Sequence, residues 1–282
     1  MKTLARISII FAVIVVCAVG LKIGYHEYSR QAVISAATGV FTAPPSTIPP
    51  TTEIPADNQV SPPERYIIYS LEDSTGTPVG STTDKPDFKN SVFVGDSVSL
   101  GFSRYCAKNG KLTDTTFLTA GSYSVSFALS TSSDANKGFS HPMYKGKETP
   151  LKTALAQIKP DNVFFCLGIN DIAVTGVEGT VKNYCKLINT VREIVPEVQI
   201  YIVSTTFMVD AAQKTNLNNL NLANLNHNMK QICAQNEKLD YIDIMSALQD
   251  EKFALAGKYC SDGFIHQSNS AYAVWLEKLG VE

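Results

Sequence analysis

Five short apolar runs, each followed by a stretch of helical character or a polar loop, constrain this chain more than any other feature. They are "SVFVG" (Ser91–Gly95), "TTFLTAG" (Thr115–Gly121), "NVFFCLGIND" (Asn162–Asp171), "VQIYIVSTTFM" (Val198–Met208) and "LDYIDIM" (Leu239–Met245). The spacing predicts helices around Pro150–Ile158, Gly179–Ile194 and Thr215–Glu237. In the last of these Leu217, Leu220, Leu225, Met229 and Ile232 recur on one apolar face. Strands that alternate with helices are joined by crossovers and run parallel. The expected fold class is therefore α/β, a three-layer α/β/α sandwich with a mainly parallel sheet.

That domain does not begin at the N-terminus. Lys2 and Arg6 precede the uncharged run "ISIIFAVIVVCAVGL", and Lys22 closes it. Basic residues ahead of an apolar run direct the remainder of a chain out of the cytoplasm. Residues 1–24 are read as a signal-anchor or signal peptide; Ala18-Val19-Gly20 offers a small-x-small cleavage site, which leaves both open. Residues 25–64 follow as a linker, and "TAPPSTIPPTTEIPADNQVSPPE" within it is rich in Pro and Thr. Such a composition buries too little surface to order itself and favours extended conformations. Residues 65–282 form the folded domain, opening with "RYIIYSLE" as an additional strand. The expected location is extracytoplasmic, with a single membrane pass and the domain outside, or secretion if the first segment is cleaved. The membrane is met through that segment only.

Composition excludes some functions. With a net charge of −2 and no dense basic run, the chain has no electrostatic footprint for nucleic acid. Neither a G-x-G-x-x-G nor a P-loop pattern is present, and no Cys/His spacing matches a zinc site, so no cofactor and no metal are expected. Six cysteines occur, five of them beyond the N-terminal run, so at least one of those five stays unpaired within a monomer.

In open parallel sheets, chemistry collects at the carboxyl ends of the strands. Three of the five runs end there in glycine plus a hydrogen-bonding side chain: Gly95-Asp96-Ser97, Ala120-Gly121-Ser122 and Gly168-Ile169-Asn170-Asp171. On its own, Gly-Asp-Ser after a strand is a turn whose serine caps a helix. A nucleophile would need a base, and there are four histidines. His26 lies beside the apolar run. His227 falls on the solvent side of its helix, and His141 sits in a loop that reads as surface. His266, in "YCSDGFIHQSNSAY", has Asp262 four residues before it and a helix after it. An aspartate and a histidine in the last loop of an α/β domain have the form of the orienting half of a triad.

Together, "FVGDSVSLG", Gly121 after the second strand, "GIND" and the late Asp/His pair resemble the SGNH, or GDSL, hydrolases, with the four blocks in that family's chain order. The resemblance covers the chain from about Ser91 onward. It implies a flavodoxin-like sheet and hydrolysis of carboxylic esters. It further implies Ser97 as nucleophile, His266 as general base and Asp262 as the acid that orients it. The oxyanion hole would be formed by the amides of Ser97 and Gly121 and the side chain of Asn170. Asp96 and Asp171 read as loop-organising residues. The sequence departs from the family in two places. One residue more than the usual Asp-x-x-His separates Asp262 from His266, so a Ser97–His266 dyad oriented by a backbone carbonyl is the alternative. Thr119 also stands where the second block commonly carries Asn.

The resulting expectation is an exported serine esterase that removes small acyl groups, acetyl above all, from cell-surface or environmental polysaccharide. Its partners are an acylated carbohydrate or another small ester. The same residues would serve an O-acyltransferase, and the same fold would serve a non-catalytic surface-binding module.

Overall fold

The computed structural model describes residues 85–132 and 140–281. The expected signal segment, linker and strand at 65–72 lie outside these. Five parallel strands form one sheet: β1 (Ser91–Gly95), β2 (Thr115–Thr119), β5 (Asn162–Cys166), β6 (Gln199–Val203) and β7 (Leu239–Ile242), in the order β2-β1-β5-β6-β7. Each expected run supplies one of them. β1 and β5 are buried along their whole length, which is why they read as unbroken apolar runs instead of alternating ones. A separate antiparallel pair, β3 (Met143–Tyr144) and β4 (Lys147–Glu148), turns through Lys145 and Gly146, both at positive φ. Such a two-residue turn suits a hairpin's twist.

One row of side chains fixes the sheet's register. Phe117, Phe93, Phe164 and Tyr201 are direct partners across β2, β1, β5 and β6. Their rings lie 5.7, 5.9 and 4.6 Å apart in turn. A one-residue slip would send a whole strand's aromatic to the opposite face. The row meets α1 (Ser97–Asn109) and α6 (Asn269–Lys278), with Phe102 5.6 Å and Trp275 6.3 Å from the Phe93 ring.

The remaining helices are the short α2 (Val125–Ala128), α3 (Leu151–Ile158), α4 (Ile169–Ile194) and α5 (Asn219–Ala234). They complete the three-layer α/β/α sandwich around one continuous core. Among the described residues no helix is long and apolar enough to cross a membrane.

Two helices differ from the sequence expectation. α4 begins at Ile169, ten residues before the expected start, and is kinked at Gly176, where φ is +65°. Glycines at 176 and 179 and the β-branched residues around them hide the helical period there. α5 is trimmed to Asn219–Ala234, and Leu220 is 56% exposed; Leu222, Leu225, Met229 and Ile232 form the buried face instead. His227 is half-buried, not out in solvent. All five described cysteines are free.

α5 also holds the loop that leaves β6. Asn226 accepts a hydrogen bond from the Thr205 amide and donates one to the Thr205 carbonyl, both at 2.8 Å. Asn219 does the same for Met208, at 2.9 Å each way. Each amide imitates a neighbouring strand where the sheet has ended. Asn226→Ala would strip both partners from the buried Thr205 backbone, at a cost of about 2 kcal/mol. The expected result is a lower urea midpoint with an unchanged slope; an unaltered midpoint would show that the clamp contributes nothing.

Candidate active site

β1 turns directly into α1, and glycine is required at the junction. A Cβ on Gly95 would fall 2.1 Å from Ser99 Oγ and 3.1 Å from the Cys166 carbonyl oxygen. Asp96, not Ser97, caps the helix: its Oδ1 accepts from the Val98 amide at 2.9 Å. Ser97 is left as the first helical residue with its side chain available. Its Oγ lies 3.1 Å from His266 Nε2.

His266 reaches that position through a closed loop. Cys260 and Gln267 form an antiparallel bridge, and the Ser261 amide donates to the His266 carbonyl at 2.8 Å. Within it, Asp262 Oδ1 accepts from the amides of Phe264, Ile265 and His266 at 2.8, 3.1 and 3.1 Å. Its Oδ2 meets His266 Nδ1 at 2.5 Å. Gly263 takes up the extra residue of the Asp-x-x-x-His spacing at φ +72°, a conformation that suits glycine. Asp262 therefore reaches the ring, and the alternative of a backbone carbonyl in its place does not occur. Burial raises the Asp262 carboxyl, but the His266 ring, the Phe264 amide, the Cys260 thiol and the His266 amide more than offset it and hold it at about 2. In the neutral tautomer that keeps its proton on Nδ1 toward that carboxylate, Nε2 would be the acceptor for the Ser97 hydroxyl.

Two contacts that the sequence did not signal brace this arrangement from α6. Trp275 Nε1 donates to Gln267 Oε1 at 2.6 Å, and Tyr272 Oη donates to the Val98 carbonyl at 3.0 Å. The first pins the residue after His266 and the second pins the residue after Ser97.

Gly121 and Asn170 arrive from the neighbouring strand ends. Thr119 and Cys166 are both level with Gly95 in the sheet. Among the described residues the Ser97 and Gly121 amides have no hydrogen-bond partner, whereas Asn170 Nδ2 gives one proton to the Tyr123 carbonyl at 3.0 Å and keeps the other. Asp171 organises the adjoining loop: its carboxylate accepts from the Val125 amide at 2.8 Å and from the Ser126 amide and hydroxyl at 3.0 and 2.8 Å. Its burial raises its pKa.

His141 corrects the sequence reading. It is 2% exposed, stacked on Phe127 at 4.5 Å, with Nε2 3.2 Å from the Ser132 carbonyl oxygen. Burial lowers its pKa, which favours the neutral ring. Its loop sequence shows nothing of that stacking partner. Among the described residues no group of three or more His, Cys, Asp or Glu side chains converges as metal ligands.

Asp96 is 3% exposed, and burial pushes its carboxyl to about 7. It binds its proton more tightly folded than unfolded. Its contribution to stability is complete below 3.8 and is lost as pH rises through about 7, the reverse of Asp262. Asp96→Asn keeps the acceptor for Val98 without the ionisation. Between about pH 4.5 and about pH 7.5 the parent should lose stability relative to this variant. Urea midpoints that move in parallel across that range would contradict the assignment.

Residues 93–274 match the family model of the GDSL-like lipase/acylhydrolase family. Among solved structures, a Bacteroides fragilis protein assigned as an acylhydrolase is similar with TM-score 0.52 and 20% identity, over 70% of this chain and 88% of that one. A GDSL-like lipase from Bacteroides thetaiotaomicron is similar with TM-score 0.50 and 15% identity, over 70% of this chain and 89% of that one. At such identities the likeness speaks for the fold. No curated protein matches the chain by sequence.

Proposed function

The chain belongs to the GDSL-like lipase/acylhydrolase family, and from that premise we propose that it is an exported serine esterase working through an acyl-enzyme on Ser97. The observation that carries this reading is the unbroken line Asp262–His266–Ser97, at 2.5 and 3.1 Å.

Ser97 Oγ attacks the ester carbonyl carbon as its proton passes to His266 Nε2, and the carbonyl π pair moves onto oxygen. Asp262 stabilises the imidazolium. The oxyanion takes the amides of Ser97 and Gly121 and the free Asn170 Nδ2 proton, donors worth about 3 kcal/mol each where charge develops. Collapse breaks the bond to the alcohol, which leaves with the proton from His266. Water then repeats the sequence on the acyl-enzyme and releases the acid.

Hydrolysis is favoured over transfer because the His266 side chain is 44% exposed and that of Asp262 34%, so water reaches the base. The substrate follows from location: a basic-flanked apolar run and a Pro/Thr-rich linker would carry the domain outside the membrane, where acetylated polysaccharide is the ester at hand.

The test is p-nitrophenyl acetate hydrolysis by the purified protein. Ser97→Ala and His266→Ala should each lose at least about a thousand-fold in turnover, with Asp262→Asn falling about as far. A fluorophosphonate should label the parent and not Ser97→Ala. Equal turnover by parent and Ser97→Ala would overturn the proposal.

A further inference from the structure

A cavity of about 320 Å³ opens beside Asn170, on the side of the sheet where β2 and β5 end. Ser122, Ser124 and Ser126 contribute hydroxyls to its lining, and Phe127 and Val174 contribute apolar surface. Of the expected oxyanion donors Asn170 lines this space, and Ser122 in its lining directly follows Gly121. We propose that it is a saccharide subsite, holding one neutral sugar ring of the ester substrate; this rests on the esterase reading above.

The chemistry of the lining carries the inference. Ser122 is exposed, and its hydroxyl has no hydrogen-bond partner among the described residues. Ser124 Oγ accepts from the Phe127 amide at 3.0 Å, which leaves its own proton to give. Ser126 donates to Asp171 and accepts from Asn183 at 3.0 Å. The lining thus offers hydroxyls to a ligand rich in hydroxyls. A hydrocarbon chain laid there would cover Ser122 and Ser124 without replacing their water, which is unfavourable.

The aromatic part of the lining is fixed in place. Phe127 is stacked on the His141 ring, interplanar angle 16°, and met edge-on by Tyr123 at 5.8 Å. Its orientation is therefore set before any ligand arrives, and a sugar's C–H face can pack against it. Val174, 83% exposed, stands at the rim.

Charge narrows the ligand further. Among the described residues Asp171 is the one ionisable member of the lining, and its carboxylate is taken up by Val125 and Ser126. No cationic side chain among the described residues lines the space, so the described lining presents no counter-charge to an anionic headgroup and no free carboxylate to a cationic one. Ligand cavities commonly run from about 300 to about 1,000 Å³, which places this one at the small end of that range.

The experiment titrates full-length Ser97→Ala protein, which retains the ester intact, with methyl 6-O-acetyl-glucopyranoside, followed by NMR. Ser122→Gly is then added in the same background; φ at Ser122 is +55°, so glycine fits without strain. Val174→Trp is the second variant and fills the exposed rim. Kd should rise at least about fivefold with Ser122→Gly and more than about tenfold with Val174→Trp. Absent saturable binding, or an unchanged Kd in both variants, overturns the subsite. Failure of the esterase reading would appear elsewhere, as a parent without p-nitrophenyl acetate turnover.

Discussion

The register of β1 at the centre of the parallel sheet is the constraint on which the rest depends. Gly95 lies level with Thr119 on one side and Cys166 on the other, so three strands end on one line. Because all three run the same way, each delivers its next few residues to the same edge. Ser97, Gly121 and Asn170 are separated by 24 and 49 residues in the chain yet leave adjacent strands. The aromatic row Phe117–Phe93–Phe164–Tyr201 ties that alignment to core packing. A slip that preserved the strands but displaced the row would scatter the polar ends.

Alignment of strands alone does not bring His266 to Ser97, since His266 follows the last strand and a long irregular stretch. α6 supplies that connection. It packs against α1 through Tyr272 and Phe102, ring centroids 5.9 Å apart, and Tyr272 Oη ties it to the Val98 carbonyl. From its other turn, the fully buried Trp275 indole holds Gln267. One rigid helix thus references both the nucleophile and the base to the same core. Gly101 belongs to this device: a Cβ there would lie 2.0 Å from Tyr272 Oη. Rigid support of this kind is what keeps a catalytic hydrogen bond in range without substrate to hold it.

Local features were legible in the sequence and remote ones were not. All five strands showed, because each is a short apolar run bounded by glycine or polar residues. Asp96 and Asp171 were readable as organisers, since short-range capping chemistry goes with residue type. The closure of Asp262 onto His266 depended on Gly263, and that glycine stood visibly between them. His141 was misread because its burial comes from Phe127, fourteen residues away, and nothing near it in sequence is unusual. Gln267, Trp275 and Tyr272 carry no motif at all; their roles exist only once α6 has docked. The early start of α4 was lost for a different reason, the Gly176 kink that breaks its period between Asn170 and the expected helix.

Three aspartates near the strand ends show how position, not residue type, assigns the work. Asp96 and Asp171 are both almost fully enclosed, and burial raises both carboxyls, Asp96 to about 7. Asp262 lies in an exposed loop, where amide donors and the His266 ring hold its carboxyl at about 2. A dependable negative charge beside the imidazole requires an acid that stays ionised, and Asp262 alone of the three is so placed. The buried pair are spent on backbone amides, Val98 for one and Val125 and Ser126 for the other. Had Asp96 been the permanently ionised group, its charge would sit inside the core at the foot of α1, where desolvation opposes it. By keeping the ionised carboxylate at the solvent edge, the fold avoids that penalty while leaving His266 a fixed anionic partner.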